Sequence, residues 1–115
     1  MGGLLARDFA HDHPEAVRQV ITVASPFRLP TATTLAPLFR ALWRRYDPAL
    51  DLLRLSRPLP VPAMAIGTRD DGIVAWRTCL SDDPACPNVE LTGAHLTLCR
   101  NPQALRAIAA RLAEV

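Results

Sequence analysis

Hydrophobic and polar positions alternate along this chain in two periods, and the period changes where prolines and glycines punctuate it. In "GLLARDFAHDHPEAV", Leu4, Leu5, Phe9 and Ala10 fall near helical spacing. That predicts a helix starting directly behind Met1 and ending about His13, because Pro14 disfavours helix at the residue before it. "VRQVITVAS" then carries Val17, Val20, Ile21 and Val23 in a short β-branched run, apolar on both faces at its centre as buried parallel strands are, and Pro26 closes it. From Pro30 to Pro60 the spacing lengthens again, with Leu38, Leu42, Trp43 and Tyr46, then Leu50, Leu53 and Leu55. This predicts two short helices broken at Asp47-Pro48, an inserted helical segment and not part of a sheet. "VPAMAIGTRDDGIV" reads as a buried strand running into a turn on Asp70, Asp71 and Gly72. "NVELTGAH" reads as a third strand ending at Gly93, with His95 just beyond. In the last stretch Asn101 is placed to cap a helix with Pro102 at its first position, and Leu105, Ile108, Ala109 and Leu112 form one apolar stripe. Strands separated by helical segments predict the α/β class, with about three parallel strands, flanking helices and a helical insert.

Composition narrows the setting. A chain of 115 residues is one domain at most, and 50% hydrophobic residues with a mean hydropathy of +0.11 describe a globular interior, not a disordered chain. Thirteen basic against 11 acidic residues give a formal net charge of +2, too balanced for a dedicated nucleic-acid binder. The basic residues are all arginine and are scattered along the chain. No apolar run approaches the roughly 20 residues of a membrane span. The amino terminus lacks the basic-then-apolar order of a signal peptide, so a cytoplasmic chain is expected. Cys79, Cys86 and Cys99 have no Cys-x-x-Cys spacing, which argues against zinc. Cys79 and Cys86 bracket "LSDDPA" and would suit a disulfide in an exported protein; reduced thiols fit a cytosolic one. His11 and His13 lie on different faces of a helix end without a third ligand, so no metal or cofactor is expected. Arg40, Arg44 and Arg45 beside Trp43 read as the wet face of an amphipathic helix, or as a contact to an anionic lipid surface.

Two predicted strands end in side chains that carry chemistry, Asp71 after the second and His95 after the third. In an open parallel sheet the loops at the carboxyl ends of the strands share one crevice, so these two should lie side by side. A carboxylate that holds an imidazole is the orienting half of a nucleophilic triad. Asp70 is the neighbouring candidate for the acid, and an Asp71-Gly72 turn is reason enough for Asp71 by itself.

Here the chain resembles the α/β-hydrolases of the esterase and lipase kind. "MGGLLARDFAHDHP" is similar to the helix after their Gly-x-Ser-x-Gly elbow, and "VRQVITVASPF" to a following strand. "DGIV" resembles the acid loop and "NVELTGAHLTLCRNP" the histidine loop, in the family order. The resemblance spans the chain except for residues 30–60, which are similar to the family's variable cap. It implies the carboxyl-terminal part of an acyl-ester hydrolase fold, with Asp71 as orienting acid, His95 as general base and no cofactor. Phe27, Phe39 and Trp43 would wall an acyl pocket. Met1 would stand directly after the serine, at the oxyanion-hole position, so the serine and the strand before it would precede the chain. Ser25, Ser56 and Ser81 lie on no glycine-bracketed strand-to-helix turn and do not replace it. The chain alone is therefore expected to be inactive, to act on a small acyl ester only when completed, and otherwise to self-associate or pair with its amino-terminal half. The alternatives are a non-catalytic interaction module, such as half of a split hydrolase, and a wrongly started reading frame without independent function.

Overall fold

The computed structural model describes residues 2–28, 34–46 and 52–114. Its core is a parallel sheet of three strands in the order β1 (Val20–Val23), β2 (Ala63–Thr68), β3 (Asn88–Leu91). Val20 pairs with Ala63 and Val23 with Ile66, while Ala65 pairs with Asn88 and Thr68 with Leu91. Helix α1 (Gly2–Asp12) precedes β1, helix α2 (Ala36–Tyr46) lies between β1 and β2, and helix α3 (Pro102–Glu114) closes the chain. Short 3₁₀ turns cover 14–16, 52–56, 76–79 and 95–100. No described helix is long and apolar enough to cross a membrane.

Both faces of the sheet are covered, which explains why β2 is buried at all six positions. On one face Leu4 and Ala10 of α1 pack with Val20, Phe27, Leu55, Ala63 and Ala65. On the other, Ala24, Met64, Ile66 and Leu98 pack with Ile21, Val23, Ala107 and Ile108. The side chains of β1 alternate between these two cores, as the period of a strand requires. The strand begins at Val20, later than expected, because Pro14 starts a 3₁₀ turn and Val17 is its C-cap.

Helix α1 approaches the sheet closely at one point. A Cβ on Gly3 would stand 2.1 Å from Ser25 Oγ and 2.7 Å from Ser25 Cβ, whereas one on Gly2 would meet nothing within 4 Å. Gly3→Ala is therefore expected to cost about 1–3 kcal/mol through overpacking. Gly2→Ala should be neutral or stabilise by up to about 1 kcal/mol through helix propensity. Urea midpoints of the two variants check this opposition.

The stripe expected on α3 is turned by one position. Ala104 is buried and Ala107 and Ile108 partly buried, while Leu105 and Leu112 are half exposed and Ala109 is exposed. The cap fixes this rotation: Asn101 Oδ1 accepts from the N–H of Gln103 (2.8 Å) and Ala104 (3.4 Å), while its Nδ2 donates to Thr92 O at 3.0 Å. The cap thereby ties the helix to the end of β3, and the setting it enforces puts the small Ala104 against the sheet.

Candidate functional site

The carboxyl ends of β2 and β3 meet at Asp71 and His95. His95 Nδ1 lies 2.7 Å from Asp71 Oδ2, with the carboxylate side chain fully buried and the imidazole one-quarter exposed. The other carboxylate oxygen, Oδ1, accepts the backbone N–H of Ile73 (2.9 Å) and Val74 (3.0 Å). Asp71 thus shapes its turn with one oxygen and holds the histidine with the other. Three donors compensate the desolvation of this buried charge.

Asp70 has a separate task. Its Oδ2 accepts the N–H of Gly93 at 3.0 Å, and Thr68 Oγ1 donates to Gly93 O at 2.7 Å while accepting from Asp70 N at 3.3 Å. Both polar backbone groups of Gly93 are thereby clipped to the acid loop. Gly93 has φ of +122°, a conformation closed to other residues at ordinary cost, and the chain leaves it aimed so that His95 meets Asp71. Of the two adjacent aspartates, the structure brings Asp71 to the imidazole and gives Asp70 to the loop.

A carboxylate on Nδ1 fixes the neutral imidazole with its proton there, leaving the lone pair of Nε2 to act as base. Nε2 makes no hydrogen bond among the described residues. The imidazole opens into a cavity of about 350 Å³ whose walls include Gly2 and Gly3 of α1, Ala24 and Ser25 after β1, and Cys99. The N–H groups of the first turn of α1 have no partner within the helix and bring its positive end to this cavity. Ala24 adopts φ of +52° as the chain turns out of β1, a left-handed conformation that a non-glycine residue takes at a cost of about 1–2 kcal/mol. Thr22, on the same wall, is 2% exposed, and its hydroxyl has no hydrogen-bond partner among the described residues.

The remaining candidates fall elsewhere. Phe27 is 1% exposed in the core, with the Arg7 guanidinium 4.0 Å over its ring, and does not line the cavity of His95. Phe39 and Trp43 belong to α2, but their side chains, like Met1, lie outside the described residues. Arg40, Arg44 and Arg45 are exposed on α2 together with Leu38 and Leu42. Ser25 lines the cavity, yet its hydroxyl only reaches Val23 O at 3.5 Å and makes no bond to His95. Ser56 and Ser81 are not among the cavity residues. His11 is half-buried and burial holds its pKa below the usual value, with Arg54 and Arg7 adding to the effect; His13 lies 3.5 Å from Glu15. Among the described residues no three His, Cys, Asp or Glu side chains gather around a point where a metal would sit. The three cysteines are free, and burial, helped by the charge of Asp71, pushes the Cys79 thiol up to about 12.

Thr68 was not legible as a site residue, nor was Asp70, the neighbouring candidate for the acid, legible as the anchor of Gly93, and neither was Cys99. The signal for the first two is their position, directly where a buried strand runs into the acid loop. No family model, no curated protein and no solved structure matches the chain.

Proposed function

We propose that Asp71 and His95 are the orienting acid and general base of an acyl-ester hydrolase of the α/β-hydrolase kind. In this reading the chain supplies the carboxyl-terminal strands, and a serine hydroxyl is delivered to the cavity at the amino end of α1. The 2.7 Å contact between a buried, doubly anchored carboxylate and His95 Nδ1 supports it above all else. Nε2 takes the serine proton as the hydroxyl attacks the ester carbonyl, Asp71 stabilises the resulting imidazolium, and the imidazolium then protonates the leaving alkoxide. The first N–H groups of α1 face the negative charge that develops on the carbonyl oxygen.

The shape of the cavity favours delivery by a strand. Its walls come from α1 on one face of β1, from His95 and Cys99 on the other, and from Ile21 to Ser25 between them. It therefore runs along the free edge of β1, where a further parallel strand would end at His95. This also favours the split-hydrolase form of the reading.

The test is to express the reading frame from a start upstream of Met1 and compare it with the 115-residue chain on short activated esters and a fluorophosphonate probe. The 115-residue chain is expected to show no turnover above its His95→Ala variant and no labelling. The longer chain should show both, with the label on a serine next to Met1. An inert longer chain, a stop codon in place of the serine, or labelling of Ser25 would overturn the proposal.

A further inference from the structure

A second cavity, also of about 350 Å³, opens at the amino end of the sheet, among the segments that lead into β2 and β3. It lies at the opposite end of the strands from His95. Two arginines reach it, Arg7 from the middle of α1 and Arg111 from the last turn of α3.

Arg7 is 3% exposed. Its Nε donates to Leu55 O at 2.7 Å, its Nη2 donates to Arg57 O at 2.9 Å, and its plane rests on Phe27. These partners are neutral. Arg7 makes no ion pair among the described residues, and Nη1 has no hydrogen-bond acceptor among them. Burial holds its pKa below the usual arginine value, and the nearby charge of Asp83 only partly offsets this. Arg111 bonds Glu114 through Nη1 at 3.3 Å and Ala63 O through Nη2 at 3.5 Å, and its buried Nε has no acceptor among the described residues. The opposing groups in the cavity are Asp83 and Cys86. Asp83 accepts from Ala85 N at 2.9 Å and pairs with neither arginine, and burial pushes the Cys86 thiol up, so it is neutral.

A buried guanidinium is normally matched by a carboxylate or phosphate within contact, because an unmatched charge costs several kcal/mol of desolvation. Two guanidinium groups, Arg7 without an ion pair among the described residues and Arg111 paired only with Glu114, converge here on one cavity whose single carboxylate, Asp83, contacts neither. We propose that this cavity binds a small oxyanion of the carboxylate or phosphate class, held between the guanidinium groups of Arg7 and Arg111. The forked donors of arginine suit such a group. The site is independent of His95, and its failure would leave the hydrolase reading untouched.

Inorganic phosphate and acetate are titrated separately into the 115-residue chain at constant ionic strength, with chloride as the balancing ion, and followed by calorimetry and by thermal midpoint. The expected result is saturable binding of one anion per chain with a rise in the midpoint. Arg111→Gln should weaken binding tenfold or more. Asp83→Asn, which keeps the acceptor for Ala85 N but removes the opposing charge, should tighten it severalfold. Arg106→Gln, an exposed arginine on the same helix, should leave it unchanged. A preference for phosphate assigns the ligand to phosphate esters, and a preference for acetate assigns it to carboxylates. Heats no different from chloride, or an affinity unmoved by both the Arg111 and Asp83 variants, would overturn the site.

Discussion

Asp71→Asn is expected to keep the fold and disable the base. The asparagine Oδ1 can still accept from Ile73 and Val74, so the turn survives. Its NH₂ then faces His95 Nδ1, which must become the acceptor, and the imidazole proton moves to Nε2. Nε2 can no longer take a proton from a hydroxyl. In a chain completed with its nucleophile, kcat should fall about 10⁴-fold with KM little changed, the size of effect a wrong tautomer has in a serine triad. In the 115-residue chain the same inversion is read from the ¹⁵N shifts of His95, the protonated nitrogen changing from Nδ1 to Nε2. Asp71→Ala separates chemistry from structure. It strands the two backbone donors in a buried turn and should cost about 2–5 kcal/mol, where Asp71→Asn costs little. Equal losses of stability for both variants, or an unchanged tautomer in Asp71→Asn, would refute the assignment.

How much of this was legible in the sequence differs from one residue to the next, for physical reasons. The periods of two and of 3.6 located all three strands and the first and last helices, since burial on both faces leaves a β-branched run such as "VITV" and half-burial leaves a stripe. The juxtaposition of Asp71 and His95 followed from topology alone, because carboxyl ends of neighbouring parallel strands lie together. Which of Asp70 and Asp71 would face the imidazole was not legible. It is decided by Thr68 Oγ1, which takes Asp70 N and Gly93 O together and leaves Asp71 to turn inward. Phe27 was a wall residue only by the resemblance, but an aromatic face can also serve a cation, and Arg7 occupies it. Arg7 itself stood in plain view, spaced three residues from both Leu4 and Ala10 on the buried stripe of α1. Its meaning depends on carbonyls some fifty positions away, at Leu55 and Arg57, which no local pattern contains. The rotation of α3 was missed because four apolar positions fit a stripe equally well at two settings, and the tie from Asn101 to Thr92 chooses between them.

The chain is also expected to associate through β1. The two edges of the sheet differ. β3 alternates exposed Asn88 and Glu90 with half-buried Val89 and Leu91, and Arg69 covers Glu90 at 3.0 Å, as on a strand that faces water. β1 has no such guard: Val20, Ile21, Thr22 and Val23 are each buried or half-buried, without a charge or a proline in the run. Val20 N donates to Pro62 O and Ala24 N to Ile66 O, so by the alternation of a parallel ladder the N–H groups of Ile21 and Val23 point away from β2. Those donors and the carbonyls between them are a template for another strand. At micromolar concentration, size-exclusion chromatography with light scattering should therefore give a mass above that of one chain. Val23→Pro removes one outward donor and leaves the ladder to β2 intact, since proline is tolerated on the free side of an edge strand. It should weaken association roughly tenfold, about 1.4 kcal/mol, the worth of one or two backbone hydrogen bonds. Glu90→Pro, whose N–H points away from β2 at the guarded edge because Ala65 N bonds Pro87 O, should leave the mass distribution as it is. A sharply melting monomer of the unsubstituted chain, or association that Val23→Pro leaves unchanged, would show that β1 is not the surface through which the chains meet.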